Sequence, residues 1–310
     1  MNGQRVLFAV LDWGLGHATR SVPLVLGLLS QGCVVTLASR GKALQWLGDR
    51  FPALDVLEMP QPDIRYSRYL NGWRIASQGW KVLSSVEREL AFTADAVERL
   101  GITHIYSDNC YGVRHPNVQS TLITHQLNLP VPRVFRRFAN AQLHKLLRLF
   151  DRIWVPDYAD FPGLGGWLSH GEFDFEVEYI GPQSHLVSAP TLVLDESVSC
   201  VALISGLEPH RSRFLAKVLR EFKASNQRAV IFTGAVTPHV ETQGHVTLYG
   251  HATPALIKAH LQQAEVIVCR SGYSSLMDLH ALGLTPTRLE ATPGQWEQEY
   301  LARLHAPQGG

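Results

Sequence analysis

The segment from Asp12 to His17 contains residue types that suit a small catalytic corner. It follows an apolar run and leads into a stretch of helical period, with glycines at Gly14 and Gly16. These glycines allow a tight turn and a close approach of the backbone to a ligand, and the N-terminus of a following helix favours an anion or a hydroxyl group. The helix dipole disfavours a charged imidazole at this position, so His17 is a candidate general base. The alternative is a histidine that bonds a backbone carbonyl.

Asp108 is the predicted partner of this histidine. It ends an apolar run of strand type, and the carboxyl ends of parallel strands meet at one edge of a sheet. A carboxylate there can accept a hydrogen bond from the far nitrogen of His17, fix its tautomer and stabilise the imidazolium. A turn cap is the alternative for Asp108. His125 follows the next strand and is either an acceptor-binding residue or a buried, hydrogen-bonded histidine.

The same corner is a poor match to a dinucleotide-binding fingerprint. Thr19 occupies the third glycine position, and the second predicted strand ends in Ser39 and Arg40 rather than in an acid that would bind a ribose. The sequence therefore argues against NAD(P).

A second group of polar residues follows the apolar run 266–269. Arg270, Ser271, Gly272 and Ser275 lie between this run and a helical stretch, which is a favourable geometry for binding a phosphate. Asp278 falls in the first turns of the helix, where a carboxylate can accept both hydroxyls of a ribose. Ordinary helix capping is the alternative for the group.

Two further loops repeat this pattern of strand, polar loop and helix. The first has Ser205, Gly206 and Arg211 after the run 201–204. The second precedes the last predicted helix and supplies polar side chains for sugar hydroxyls, with capping again as the alternative: Gln295, Glu297 and Gln298.

The elements that position these groups alternate between short β-branched runs and longer segments of helical period, which predicts βαβ units and parallel sheets. The chain of 310 residues is long enough for two such domains, and a proline-containing segment without clear period, 181–197, is the predicted linker. Ligands of such domains bind at the carboxyl ends of the strands, which predicts a site in the cleft between the two. The predicted strands are 5–11, 34–38, 55–59, 104–107, 121–124 and 152–155 in the first series, and 199–204, 229–232, 246–248, 266–269 and 287–289 in the second.

Composition excludes several classes of protein. Lys plus Arg number 28 and Asp plus Glu number 27, which gives a net charge of +1. The charge of the chain as a whole therefore provides no electrostatic argument for nucleic-acid binding. The four cysteines form no CxxC pair, which indicates neither a disulfide framework nor a zinc ribbon and favours a reducing, cytoplasmic setting. No apolar run reaches the length of a membrane span.

The segment 133–152 is basic and amphipathic, with Arg136, Arg137, Lys145 and Arg148 among apolar residues. Such a helix binds an anionic membrane surface, which would place the protein on the inner face of the plasma membrane near a lipid-linked acceptor. The alternative is a domain-surface helix with solvated charges. A second stretch, with Tyr66, Tyr69, Trp73 and Trp80, either stacks on an acceptor or is a packed insertion.

Together these segments resemble the glycosyltransferases of the GT-B fold, most closely the bacterial family 28 group that includes the peptidoglycan N-acetylglucosaminyltransferase. The phrases at 123–126 and 154–157 look like those of an uncharacterised bacterial subgroup. The resemblance spans nearly the whole chain, and its carriers are Gly14, Gly16 and His17, Arg270 to Gly272 with Asp278, and Gly294, Gln295, Glu297 and Gln298.

The resemblance implies two Rossmann-like domains facing a central cleft, with the acceptor bound by residues 1–183 and the nucleotide sugar by residues 184–310. It implies an inverting transfer that needs no metal, with a UDP-sugar such as UDP-N-acetylglucosamine as co-substrate and no further cofactor. Arg270, Ser271, Gly272 and Ser275 would then hold the diphosphate, Asp278 the ribose, and Gln295 and Gln298 the sugar.

Two other functions remain open at this point. One is a nucleotide-sugar epimerase on the same fold, which would convert its donor with no acceptor present. The other is a catalytically degenerate protein that binds a nucleotide sugar, favoured by a segment after the Pro-Gly-Gln loop that is shorter than in the family.

Overall fold

The computed structural model describes residues 3–60, 79–194, 196–235 and 237–306, with side chains from residue 85 onward in the second of these ranges. The described residues divide into two compact units, one ending at Gln183 and the other beginning at Ser184. This division lies inside the segment 181–197 that the sequence indicates as a linker.

The first unit is a seven-stranded parallel sheet with strand order β3-β2-β1-β4-β5-β6-β7. Its first strand in chain order lies inside the sheet and is buried from Val6 to Val10 because helices cover both faces, which explains why these residues are a continuous apolar run. In chain order its elements are β1 (Arg5–Val10), α1 (Leu15–Ser30), β2 (Val34–Ser39), α2 (Gly41–Arg50), β3 (Asp55–Glu58), α3 (Gly79–Leu100), β4 (His104–Asp108), β5 (Gln119–Ile123), α4 (Arg133–Leu147), β6 (Arg152–Val155) and β7 (Glu178–Tyr179).

The second unit is a six-stranded sheet with strand order β10-β11-β9-β8-β12-β13. All neighbours are parallel except β10 and β11, which form an antiparallel hairpin. Its elements are β8 (Cys200–Leu203), α5 (His210–Ala224), β9 (Ala229–Phe232), β10 (Val240–Gln243), β11 (Val246–Tyr249), α6 (Pro254–Gln263), β12 (Val266–Arg270), α7 (Tyr273–Ala281), β13 (Arg288–Glu290) and α8 (Trp296–Leu304).

Strand register brings the predicted site residues to the carboxyl edges of the two sheets. In the first unit Val10 pairs with Asp108, and Asp108 pairs with Ile123 on the other side. In the second unit Leu203 pairs with Cys269, so the loops after β8 and β12 lie side by side. Distant segments of the chain therefore meet at one edge of each sheet.

The predicted fold class of two Rossmann-like α/β domains is confirmed. Two strands were not predicted. Strand β10 is mostly exposed at the sheet edge, so it has no apolar alternation that would reveal it. Strand β7 has two residues, too few for any sequence period to show.

Candidate functional site

The glycine corner of the first unit has the expected conformation. Gly14 is the N-cap residue of α1 with φ of 83°, a left-handed conformation that favours glycine, and as a glycine it has no side chain to cap the helix. The first turn contains no acidic residue, so no carboxylate of that turn neutralises the positive end of the helix dipole. Gly16 and His17 lie in this turn. Asp12 accepts a hydrogen bond from the Ala43 N–H and thereby supports the start of α2.

The predicted contact between His17 and Asp108 is present. Nδ1 of His17 lies 2.8 Å from Oδ1 of Asp108, and the Asp108 side chain is buried beneath the helix. With its proton on Nδ1, the imidazole donates to the carboxylate and leaves Nε2 as a proton acceptor. This arrangement is the one that a general base requires.

Arg20 is a third member of the site, and no motif in the sequence indicates a role for it. Its Nε donates to Oδ2 of Asp108 at 2.7 Å, and its Nη2 donates to Oδ1 of the same carboxylate. Nη2 also lies 2.9 Å from Nδ1 of His17. The signal that would have revealed it is its position one helical turn after His17, on the same face of α1.

Charges in the cluster set its protonation. Burial opposes ionisation of Asp108, but the Arg20 guanidinium and His17 outweigh it and hold the pKa of that carboxyl well below its usual range. Burial lowers the pKa of His17, Arg20 lowers it further, and Asp108 only partly offsets both. The resting state is therefore an ionised Asp108 beside a neutral His17.

His125 also reaches this cluster. Its Nδ1 lies 3.3 Å from Nη1 of Arg20, and the residue is buried. Of the two interpretations left open by the sequence, this contact matches the buried, hydrogen-bonded histidine. Acceptor binding by His125 stays a prediction.

Glu89 of α3 holds the loop that follows Asp108. Its carboxylate accepts a hydrogen bond from the Gly112 N–H at 2.8 Å, and a side chain at position 112 would collide with Glu89 and with the Val86 carbonyl. Burial raises the pKa of Glu89 to about 7. Nothing in the sequence motif indicates this contact, since it joins a helix and a loop with no shared pattern.

The second unit brings the loops after β8 and β12 together. Oγ of Ser205 and Oγ of Ser275 lie 3.4 Å apart, and Gly206 between β8 and α5 has φ of 102°. Gly272 is the N-cap residue of α7 without a side-chain cap, and Ser271 donates to the Gln298 carbonyl. The hydroxyls of Ser205 and Ser275 and the N-terminus of α7 therefore lie at the carboxyl edge of this sheet.

Arg270 is buried at this edge, with 6% of its surface exposed. One N–H donates to the His210 carbonyl at 3.1 Å, and the guanidinium lies 4.4 Å from the centre of the Phe214 ring. It forms no ion pair with a carboxylate in the part of the chain that the structure describes. A buried guanidinium with several donors left over is suited to an anionic ligand.

Asp278 contacts the beginning of the second unit. Its Oδ1 accepts a hydrogen bond from Ser184 at 2.5 Å and lies 4.0 Å from Nδ1 of His185. Burial raises the pKa of Asp278 to about 7, and the Ser184 bond only partly offsets this. A ribose contact by Asp278 stays a prediction, and it would use the other carboxylate oxygen.

The guanidinium of Arg211 bonds other groups of the second unit. It pairs with Glu208 at 2.8 Å and donates to the Thr233 and Gly234 carbonyls at 3.3 and 3.0 Å. These contacts tie the start of α5 to the end of β9, which is a role the sequence did not indicate.

The loop before α8 is held by its own polar residues. Gln298 accepts from the Thr292 N–H at 2.8 Å, and Glu299 accepts from the Gly294 N–H at 2.8 Å. Gln295 is the N-cap residue of the helix, followed by Glu297 in the first turn. Contacts of Gln295, Glu297 and Gln298 with a sugar stay predictions.

Three further expectations from the sequence concern the aromatic stretch 66–80, a bound metal ion and a membrane-spanning helix. Tyr66, Tyr69 and Trp73 lie outside the described residues, as does the side chain of Trp80. Within the described ranges, no group of three or more His, Cys, Asp or Glu side chains is placed to hold a metal ion. Among those residues no helix is both long and apolar enough to cross a membrane.

The start of helix α4 exposes apolar side chains beside arginines. Val134 is 81% exposed and Phe138, one turn later, is 70% exposed. Arg133 and Arg137, which precede these two residues in the sequence, are also exposed. Large apolar residues this exposed next to positive charge are typical of a surface that contacts a partner or a membrane.

The chain was compared with known proteins and solved structures. No protein-family model matches the chain, and no curated protein matches it. Solved structures do match over nearly its whole length. The glycotransferase of kitacinnamycin has a TM-score of 0.64 at 15% identity, covering 98% of this chain and 84% of the other. Spinosyn rhamnosyltransferase SpnG complexed with thymidine diphosphate has a TM-score of 0.54 at 16% identity, covering 97% and 90%.

A third match is MurG of Acinetobacter baumannii, with a TM-score of 0.52 at 13% identity, covering 98% of this chain and 83% of that one. The chain therefore has the fold of the GT-B glycosyltransferases, as its resemblance to that group predicts. Identities this low establish the fold alone.

Proposed function

We propose that the protein is a glycosyltransferase that moves a sugar from a nucleotide sugar to an acceptor hydroxyl with inversion and without a metal ion. The observation that carries the proposal is the 2.8 Å contact between His17 and buried Asp108 at the carboxyl edge of the first sheet. A neutral imidazole beside an ionised carboxylate, at a helix N-terminus that begins with a glycine, supplies the base that such a transfer needs.

In the proposed reaction, Nε2 of His17 takes the proton of the acceptor hydroxyl as its oxygen attacks the anomeric carbon. The new carbon–oxygen bond forms on the face opposite the diphosphate, whose bond to that carbon breaks and whose oxygen leaves with the electron pair. Asp108 stabilises the imidazolium that results.

We propose that the donor binds to the second unit. The buried guanidinium of Arg270, the N-terminus of α7 after Gly272, and the hydroxyls of Ser205 and Ser275 supply positive charge and donors for a diphosphate. A UDP-sugar is the proposed co-substrate. Because the SpnG structure contains thymidine diphosphate, a ligand screen should include both pyrimidine nucleotides.

The acceptor is proposed to be lipid-linked, and the protein to be cytoplasmic and peripheral to the inner face of the plasma membrane. The support is the exposed Val134 and Phe138 beside Arg133 and Arg137 at the start of α4. Apolar insertion combined with attraction to anionic headgroups is a common mode of reversible membrane binding.

Release of UDP with acceptor, measured for wild type, His17→Gln and Asp108→Asn, tests the proposal. A positioned base contributes ~10²–10⁴-fold in rate, so both variants should lose transfer by factors in this range. Their affinity for UDP-sugar, measured by calorimetry, should stay at the wild-type value, because the donor groups lie in the other unit. Transfer by His17→Gln at the wild-type rate would show that His17 is not the base.

The same assays separate the two alternatives. An epimerase converts the donor sugar with no acceptor present. A binding protein shows donor affinity with no turnover on any acceptor.

A further inference from the structure

We infer that Arg20 is a positioning residue of the proposed active site: its buried guanidinium holds the Asp108 carboxylate on both oxygens and keeps His17 a neutral imidazole ready to accept a proton. The inference rests on the proposed role of His17 as base. It concerns the effect of Arg20 on the protonation of His17, which can be measured without any substrate.

The ion pair between Arg20 and Asp108 is almost completely buried. Arg20 is 2% exposed and Asp108 is 1% exposed, so neither charge is solvated, and each depends on the other for its compensation. The planar fork of an arginine matches a carboxylate with two parallel hydrogen bonds. Asp108 is therefore fixed in orientation before any substrate binds.

The contact between Arg20 and Asp108 also affects which ring nitrogen of His17 carries the proton. Nδ1 lies 2.8 Å from the Asp108 oxygen and 2.9 Å from Nη2 of Arg20. A carboxylate only accepts and a guanidinium only donates, so Nδ1 bonds Asp108 when it carries the proton and Arg20 when it does not. The tautomer with the proton on Nδ1 bonds Asp108 and leaves Nε2 free to act as a base. Arg20 supports this tautomer because its guanidinium, which donates to both Asp108 oxygens, holds the accepting carboxylate in place.

Arg20 has a second effect through its charge. Among the described residues, the charged and titratable groups that act on His17 are Arg20 from its own helix, Asp108 from β4 and His125, two residues after β5. With Arg20 in place, the negative charge of Asp108 is already paired, so it attracts a second proton to the imidazole only weakly. Without Arg20, His17 beside an unpaired carboxylate would be protonated at neutral pH and unable to act as a base.

Titration of His17 by two-dimensional ¹H–¹⁵N NMR tests this inference in the free protein. Its signals are assigned by their loss in His17→Gln. Arg20→Gln should raise the pKa of His17 by about 1–3 units, the usual effect of one close charge, whereas Arg20→Lys, which keeps the charge, should leave it near the wild-type value. Arg50→Gln, an exposed arginine of the same unit, is the control and should change nothing.

Arg20→Gln leaves Asp108 buried without its partner, so the same change is also made in an Asp108→Asn background. There too, Arg20→Gln should raise the pKa of His17 relative to Asp108→Asn alone. An unchanged pKa in either comparison would overturn the inference. If the shift appears but no transfer is ever detected, the role of Arg20 stands and the proposed transferase activity is the part that fails.

Discussion

Replacing Glu89 by glutamine is expected to abolish a large pH-dependent loss of stability in the first unit. Glu89 is buried in α3, and burial raises the pKa of its carboxyl from 4.5 to about 7 in the folded protein. Because the folded pKa lies above the unfolded one, the unfolded chain ionises first as the pH rises. The folded state is therefore destabilised progressively between pH 4.5 and about 7.

The size of the effect follows from the shift. The difference of 2.5 units between 4.5 and about 7 corresponds to about 3 kcal/mol, at 1.36 kcal/mol per unit. Glutamine does not ionise, and its amide oxygen can still accept the Gly112 N–H. The stability of Glu89→Gln relative to wild type should thus rise by about 3 kcal/mol between pH 4.5 and pH 8.

Urea unfolding followed by tryptophan fluorescence measures this difference. Six of the seven tryptophans lie in residues 1–183, so the signal reports mainly on the first unit. All other titrating groups are common to both proteins and cancel in the comparison. If the difference in stability between the two proteins is the same at pH 4.5 and pH 8, Glu89 is ionised in the folded protein at neutral pH and the reasoning is wrong.

Three further predictions concern ligands. Arg270→Ala should weaken UDP binding by about 1.5–3 kcal/mol in calorimetry, since it removes a charge-assisted contact, and an unchanged affinity would reject Arg270 as a diphosphate ligand. Asp278→Asn should reduce affinity for UDP more than for its 2′-deoxy form, and equal losses would mean that Asp278 does not hold the ribose. Val134→Asp with Phe138→Asp should abolish cosedimentation with anionic liposomes, which should also weaken as salt rises because screening acts over ~10 Å at 0.1 M. Equal binding of wild type to neutral liposomes would contradict the electrostatic part of this account.

The order of helices and strands was largely predictable because it depends on local patterns. A strand buried on both faces has to be apolar throughout, as Val6 to Val10 is, and a helix at the surface has to be amphipathic. The glycine corner before α1 and the loop after β12 were recognisable for the same reason. Each places a backbone requirement and a reactive side chain within a few consecutive residues.

The contact of His17 with Asp108 was predictable only in outline, from the rule that carboxyl ends of parallel strands share an edge. Whether the two side chains meet depends on β4 lying next to β1, which strand order decides and no local pattern encodes. The observed register places Asp108 beside Val10, just before the loop that leads to His17.

Arg20, Arg270 and Asp278 show what the tertiary structure alone decided. The sequence identifies each as a charged residue near a site, but their partners are Asp108, the Phe214 ring and Ser184, which lie 88, 56 and 94 residues away along the chain. The energy of a buried charge depends on which groups surround it after folding. The sequence by itself therefore determined the elements and the types of reactive group, whereas the packing of distant segments decided which charges are paired and which protons His17 and Asp108 carry.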